Sequence, residues 1–554
     1  MALSIMSSYA SFRPFKPSSS LSSSQNIIRN FDENSKYHIR SNGDLTPQKD
    51  LDKYRDVLRK ADPFDEGLKM IDAIQRLGID YIFEEEIDKI IQSQSAYKFF
   101  REFEHDHHHH QDLYDVALRF RLLRQHGLFV PADIFNKYKD NNKGCFDTRL
   151  REDIKGLLSL YEASHLCIEG ENILDEAALF SAQHLEASMT RLHRYDQYQA
   201  KFVATTLQNP THKSLSKFTA KDLFGVYPSE NGYINLFQQL AKVEFNRVQS
   251  LHRMEIDKVT RWWRDIGLAK ELTFARDQPV KWYIWSMACL TDPILSKQRV
   301  ALTKSISFIY VIDDIFDMYS SLDELILFTQ AVSSWEYSAI QKLPDSMKTC
   351  FRALDNMINE SSHTIYQKRG WSPLHSLRKT WASLCEAFLV EAKWFASRHV
   401  PKAKEYLENG VVSSGVHVVL VHIFVLLDET SLTQKTLDFV ENMPSIITST
   451  ASILRLWDDF GSAKDENQEG HDGSYVECYM KELGGSVEDA REEMMEKISD
   501  AWKCLNKECI LRNPAFPPPF LKASLNLARL VPLMYNYDHN QRLPHLEEHI
   551  KSLL

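Results

Sequence analysis

Residues 306–317 read Ile306-Ser307-Phe308-Ile309-Tyr310-Val311-Ile312-Asp313-Asp314-Ile315-Phe316-Asp317. The first seven are apolar apart from Ser307 and Tyr310, so they describe the buried stretch of a helix, and three carboxylates close it. Asp313 and Asp317 are four apart, which places them on one helical face about 6 Å apart along the axis, close enough to grip the same ions. Left alone, they repel each other.

A second cluster stands downstream in Arg455-Leu456-Trp457-Asp458-Asp459-Phe460-Gly461-Ser462-Ala463-Lys464-Asp465-Glu466. Asp458, Ser462 and Glu466 also step by four, aligning carboxylate, hydroxyl and carboxylate on one stripe. An all-oxygen ligand set suits Mg2+ or Mn2+ rather than zinc. Mg2+ keeps waters and shares its remaining positions with substrate phosphates, so two such stripes facing each other would cage a diphosphate. An isolated acidic five-mer is usually a solvated helix end. Here the first cluster follows an apolar run, and the second has Arg455 one turn before Asp458, which favours a site.

Outward from these clusters, the chain reads from about residue 45 as helix after helix, with 18 glycines and no sustained alternation of the kind strands require. The expected fold class is all-α. One helix is spelled out from Asp112, with Leu113, Val116, Ala117, Phe120 and Leu123 on one face, Gly127 as a stop and Pro131 beyond. The 554 residues are 43% hydrophobic and 26% charged, a globular composition. With 66 basic against 76 acidic residues the net charge is -10, which disfavours nucleic acid and anionic membranes as partners. A polyanionic ligand would need a cation between it and the protein. The apolar stretch Val416 to Leu427 is broken by His417 and His422 and is shorter than the roughly 18 residues of a membrane helix, so no span is expected. Eight cysteines without a CxxC pair point to reduced thiols rather than a disulfide scaffold.

Residues 1 to 31 hold no Asp or Glu, three basic residues and ten serines, the bias of a plastid transit peptide; a tail without an address, in a cytosolic protein, is the alternative. The run His105-Asp106-His107-His108-His109-His110 reads as a solvated loop, because consecutive side chains cannot all face one ion. Gly225, Pro228 and Gly232 punctuate the pattern and mark a domain boundary. This gives a leader at residues 1–38, an N-terminal helical domain at 39–230 and a C-terminal domain at 231–554. All ten tryptophans stand at or after Trp262. After Glu466, Asn467 to Gly473 read as a loop that could move as a lid, and Ser474 with Glu477 spells a capping box. Pro514, Pro517, Pro518 and Pro519 read as a rigid connector.

The two clusters match DDxxD and (N/D)DxxSxxxE, and on this pair the chain resembles the class I terpene synthases of plants. The resemblance runs through Trp262-Trp263-Arg264-Asp265, Phe274-Ala275-Arg276-Asp277 and Asn526-Leu527-Ala528-Arg529. It implies a C-terminal catalytic helix bundle, a catalytically silent, α-barrel-like N-terminal domain, a monomer, and three Mg2+ bound with a prenyl diphosphate, geranyl or farnesyl. It assigns Asp313, Asp314 and Asp317 to the first metal motif, with Asp313 and Asp317 as direct ligands, and Asp458, Ser462 and Glu466 to the third ion. It makes Arg276 and Arg455 diphosphate contacts, and puts Trp285 on an aromatic wall and Tyr535 near a C-terminal lid. Ordinary core packing is an equal reading for either aromatic. Ionisation of an allylic diphosphate needs stabilisation of the departing anion and no protein nucleophile.

Departures from the family's pattern inform the product. The tandem arginines and tryptophan of monoterpene cyclases are absent, and the usual RxR reads Arg276-Asp277-Gln278. A neutral amide holds diphosphate less firmly than a guanidinium, so recapture at the tertiary carbon, which cyclisation requires, is disfavoured. The chain thus resembles the branch of linalool and nerolidol synthases, which give acyclic tertiary alcohols. Asp538, three residues after Tyr535, reads as part of a solvated loop. A chain-elongating prenyl transferase would carry two DDxxD-like motifs, and a class II cyclase a DxDD motif in the N-terminal half. A cyclising synthase and a non-catalytic prenyl-diphosphate scaffold are the remaining alternatives.

Overall fold

The computed structural model describes residues 48–93, 112–140, 144–223, 232–318, 321–427, 432–462, 473–536 and 543–553. Among them all regular structure is helical apart from one isolated β-bridge between Lys139 and Phe146. The leader, the His105–His110 run, the loop at 463–472 and Asp538 lie outside the described residues.

Helix α1, Leu113–Gln125, forms as its spacing predicts. Leu113, Val116, Ala117, Phe120 and Leu123 are buried, and the Asp112 side chain caps it by accepting from the Tyr114 N–H at 3.2 Å. Buried apolar residues then segregate into two large cores, one drawn mainly from Tyr54 to Ala177 and one from Leu215 to Leu546, in line with the expected two helical domains. Helix α2, Gly232–Ile266, joins them. Its Phe237, Leu240 and Ala241 belong to the first core, while Ile256, Val259 and Trp263 belong to the second. The expected division near residue 230 falls among residues 224–231, outside the described ones.

The second core is built from α3 (Pro279–Cys289), α4 (Ser296–Met318), α5 (Leu374–Ser397), α6 (Ala403–Ser413), α7 (Val416–Leu426), α8 (Ser445–Ser462), α9 (Tyr475–Leu483), α10 (Val487–Leu511) and α11 (Pro518–Tyr535). Helix α3 packs on α4 and α11, α4 on α5 and α7, and α8 on α6, α7, α10 and α11. Helix α7 thus lies against both α4 and α8, the helices that carry the two acidic clusters.

Joined with α6, the apolar stretch does reach the length and hydropathy of a membrane helix over Ala403–Leu426, with a mean hydropathy of 1.8. Most of that window is buried by neighbouring helices. Gly415, at φ 71°, breaks it in two, and a Cβ there would come within 2.8 Å of Ile309 on α4. Its hydropathy is therefore that of a helix surrounded by other helices.

Two local expectations are corrected. Pro517 caps α11 and Pro518 and Pro519 form its first turn, where missing N–H groups cost nothing, so these prolines start a helix rather than make a separate connector. Ser474 precedes α9 but makes no side-chain cap bond, and Glu477 accepts from the Gly473 N–H. The Tyr475 N–H is taken instead by Asp459 of α8, at 2.9 Å.

Between the cores, buried Asn506 of α10 donates to the carbonyls of His165 and Cys167 at 3.0 and 2.9 Å, and accepts from the His212 ring at 2.7 Å. Arg529 of α11 donates to the His212 carbonyl at 2.7 Å. Replacing Asn506 by alanine strands two buried carbonyls and an imidazole N–H, at a cost of about 2–3 kcal/mol. Asn506→Ala should lower the apparent Tm in a thermal-shift assay, and an unchanged Tm would show that this contact does not hold the cores together.

Burial pushes His212 and His252 down to about 3, and His417 and His422 down to about 4. The unfolded chain exposes them with values near 6.5. Below that pH it binds protons that the folded chain does not, so stability falls as pH drops from 6.5 towards 4, by at most about 1.4 kcal/mol per histidine per pH unit, and is unaffected by them above 6.5. Asp314, Asp317 and Asp459, raised by burial, act in the opposite sense over this range, so the histidine contribution is read as a difference: between pH 6.5 and 4.5 the urea midpoint of His417→Gln should fall less than the parent's, and parallel profiles would contradict this.

Candidate active site

The apolar run of α4 is buried as its sequence requires, and the helix ends within its carboxylates. Asp313 and Asp314 are 0% and 1% exposed, which for aspartate demands compensation. Arg276, in the segment entering α3, provides part of it. Its N–H donates to Asp314 Oδ2 at 2.7 Å, its Nε lies 2.7 Å from Asp314 Oδ1, and its Nη2 pairs with Asp313 Oδ2. Asp314 thus spends both oxygens on Arg276. Asp313 Oδ1 and Asp317 Oδ2 are buried without a hydrogen-bond partner. Burial pushes the Asp314 carboxyl up to about 6, with Arg276 opposing and Asp313 adding. Asp317 is held well above the ordinary carboxylate range by burial and then by Asp313.

The second cluster divides its aspartates in a similar way. Asp459 on α8 accepts from the Tyr406 hydroxyl at 3.1 Å and the Tyr475 N–H at 2.9 Å, so it ties α8 to α6 and α9. Burial pushes it up to about 7. Asp458, next to it, is 1% exposed. Ser462 is the last residue of α8, with its side chain outside the description, and Glu466 lies outside the described residues.

Arg455, expected at the diphosphate, is fully buried and largely engaged with protein. Its Nε donates to the Gly410 carbonyl at 3.3 Å, and its Nη2 donates to Ser413 Oγ at 2.7 Å and lies 3.7 Å from Glu391. Nη1 is buried without a hydrogen-bond partner. Ser413 in turn donates to Glu391 at 2.6 Å. Glu391, on α5, also acts electrostatically on Asp317, so one buried carboxylate links the α4 cluster to the arginine of the α8 cluster.

An aromatic row continues from Arg276. The Arg276 guanidinium lies 5.0 Å from the ring centre of Tyr310, whose hydroxyl accepts from Trp285 Nε1 at 2.9 Å. The Trp285 ring centre is 6.4 Å from that of Tyr535 on α11. The structure therefore brings together Arg276, Asp313, Asp314, Trp285 and Tyr535. Tyr310 could have been found from its place one turn before Asp313. Glu391, Ser413 and Tyr406 carry no motif, because their partners come from distant parts of the chain.

The donors fit hard divalent cations: they are oxygens, two of them buried and open. Among the described residues no three His, Cys, Asp or Glu side chains form a preformed metal nest. Mg2+, which takes few protein ligands and fills the rest with water and phosphate, does not require one.

Comparison with known proteins follows the same lines. Residues 264–504 match the metal-binding domain of the terpene synthase family, and residues 20–207 match the terpene synthase N-terminal domain. The chain is 99% identical over 554 residues, the full length of both, to an (E)-nerolidol synthase of Cannabis sativa. It is 44% identical over 525 residues, covering 94% of this chain and 89% of the other, to the chloroplastic S-(+)-linalool synthase of Arabidopsis thaliana. Its fold superposes on isoprene synthase from grey poplar leaves (Populus x canescens) with a TM-score of 0.84 at 33% identity, covering 98% of both chains. A crystal structure of that enzyme with three Mg2+ ions and dimethylallyl-S-thiolodiphosphate gives 0.83 at 35% identity, covering 91% of this chain and 95% of the other. With both halves matched and such identity along its length, this chain belongs to the terpene synthase family.

Proposed function

We propose that this terpene synthase removes diphosphate from farnesyl diphosphate, and from the shorter geranyl diphosphate, and adds water at the tertiary carbon to give the acyclic alcohols nerolidol and linalool. The observation that carries this reading is the Arg276 clamp. It sets a guanidinium, the open oxygens of Asp313 and Asp317, and the row Tyr310, Trp285 and Tyr535 side by side. The similarity to a nerolidol synthase supports the choice of product.

We assign metal binding to Asp313 and Asp317, and to Asp458, Ser462 and Glu466, with three Mg2+ expected and Mn2+ as a substitute. Bound magnesium supplies the positive charge that neutralises the departing diphosphate. Asp314 completes the first motif by holding Arg276 in place, and Asp459 does the same for α9. Arg276 offers a planar set of donors to phosphate oxygens, and Arg455 offers its open Nη1. The allylic C–O bond breaks with both electrons leaving on diphosphate. The faces of Trp285, Tyr310 and Tyr535 then stabilise the allylic cation, by about 1–2 kcal/mol each when desolvated. Water forms the new C–O bond at the tertiary carbon, and its proton goes to the released diphosphate.

Gln278 stands at the start of α3, where the family's usual second arginine would be, makes no side-chain cap bond, and has its Oε1 buried without a partner. It adds no cation to hold the leaving group in position for recapture, so water captures the cation before a ring can close. We also propose that residues 1–38 direct plastid import, an address that the Arabidopsis relative's name carries. The family's N-terminal domain match begins at residue 20, inside that leader. In plastids geranyl diphosphate and linalool would dominate; in the cytosol, farnesyl diphosphate and nerolidol.

Incubation with farnesyl or geranyl diphosphate and Mg2+, read by chiral gas chromatography, should give nerolidol or linalool as the main product; predominantly cyclic products would refute the assignment. Release of inorganic diphosphate should require the metal. Asp313→Ala and Asp458→Ala should each lower it by about 10²–10³-fold, whereas substrate binding without turnover in the unmodified enzyme would favour a scaffold.

A further inference from the structure

Lys281 is a cation that belongs to neither acidic motif. Helix α3 starts at Pro279, so Lys281 lies in its first turn. Trp285 is four residues further and shares its helix face. Lys281 therefore sits one turn beyond Trp285 towards the end of α3 at which Arg276 grips Asp313 and Asp314. Its ammonium makes no hydrogen bond or ion pair with any described residue, and it is only half-buried. Burial pushes it down to about 8, with Arg276 adding to the shift and Asp458 opposing it. Trp285 meets Tyr310 of α4 and Tyr535 of α11, so Lys281, on the same face and one turn nearer Arg276, lies on the side of α3 that borders this site rather than on the outer surface.

This placement is unfavourable for the protein alone. A cation in the first turn meets the positive end of the helix dipole, and Arg276 repels it. An anion bound between the clusters would reverse both effects.

We propose that Lys281 is a diphosphate-binding residue, its ammonium taking phosphate oxygens of the prenyl diphosphate on the Trp285 side and supplying the charge that Gln278 does not. The proposal rests on the prenyl-diphosphate reading above. It also sharpens the account of the product. Lysine is a point charge with three rotatable donors, whereas arginine presents a rigid fork. Lys281 would neutralise the leaving group without fixing the orientation that recapture at the tertiary carbon needs.

The test is calorimetric titration of the full-length protein with inorganic diphosphate in the presence of Mg2+, with KM for farnesyl diphosphate measured in parallel. Lys281→Gln and Lys281→Met should weaken diphosphate binding by about tenfold and raise KM, and Lys281→Arg should restore both. Gln278→Arg added to Lys281→Gln should recover affinity. Two neutral variants guard against loss by misfolding, which circular dichroism would reveal. Folded neutral variants that bind as tightly as the parent would overturn the role of Lys281 alone. A parent protein that binds no diphosphate with Mg2+ would overturn the prenyl-diphosphate reading itself.

Discussion

Mutual repulsion among buried carboxylates is the constraint around which the second core is organised. Asp313, Asp314, Asp317, Glu391, Asp458 and Asp459 meet where α4, α5 and α8 approach, and Arg276, Arg455 and Lys281 are the cations that answer them. The carboxylates outnumber the cations two to one. Burial and mutual repulsion push Asp317 well above its ordinary range, as expected of a carboxylate whose counter-charge is not supplied by protein. The surrounding helices hold this layer together, and divalent cations bound there as proposed would relieve its repulsion.

Each acidic motif divides its adjacent aspartates between two tasks. Asp314 is saturated by Arg276 and Asp459 by Tyr406 and Tyr475, so these side chains fix backbone segments. Asp313 keeps an open oxygen beside the Arg276 pair. The second aspartate of each pair thus orients what the first presents. This also explains why α9 lacks the side-chain cap its sequence spells: Asp459 already occupies the N–H at its start.

Among the described residues, none of the N-terminal core enters the contacts given above for the acidic clusters. Its contact with the second core includes Asn506, His212 and Arg529, with the ion pairs Lys503–Asp175 and Lys522–Asp80. Arg529 had stood out only as part of a family-like string, and its hydrogen bond to the His212 carbonyl gives it a structural part, in docking the two cores.

The helical class, the two cores and the positions of both acidic clusters were legible in the chain, because helical spacing is local: apolar and acidic residues three and four apart must share a face whatever lies around them. Asp313 and Asp317 could be read from that periodicity alone, as could the buried face of α1. The anchoring of Asp459 and the linking role of Glu391 could not. They depend on which helices meet, and burial strengthens their electrostatic coupling only after the chain has folded. Local periodicity determined what each helix presents; the packing of distant helices, by removing water and bringing like charges together, decided which of those groups act as one site.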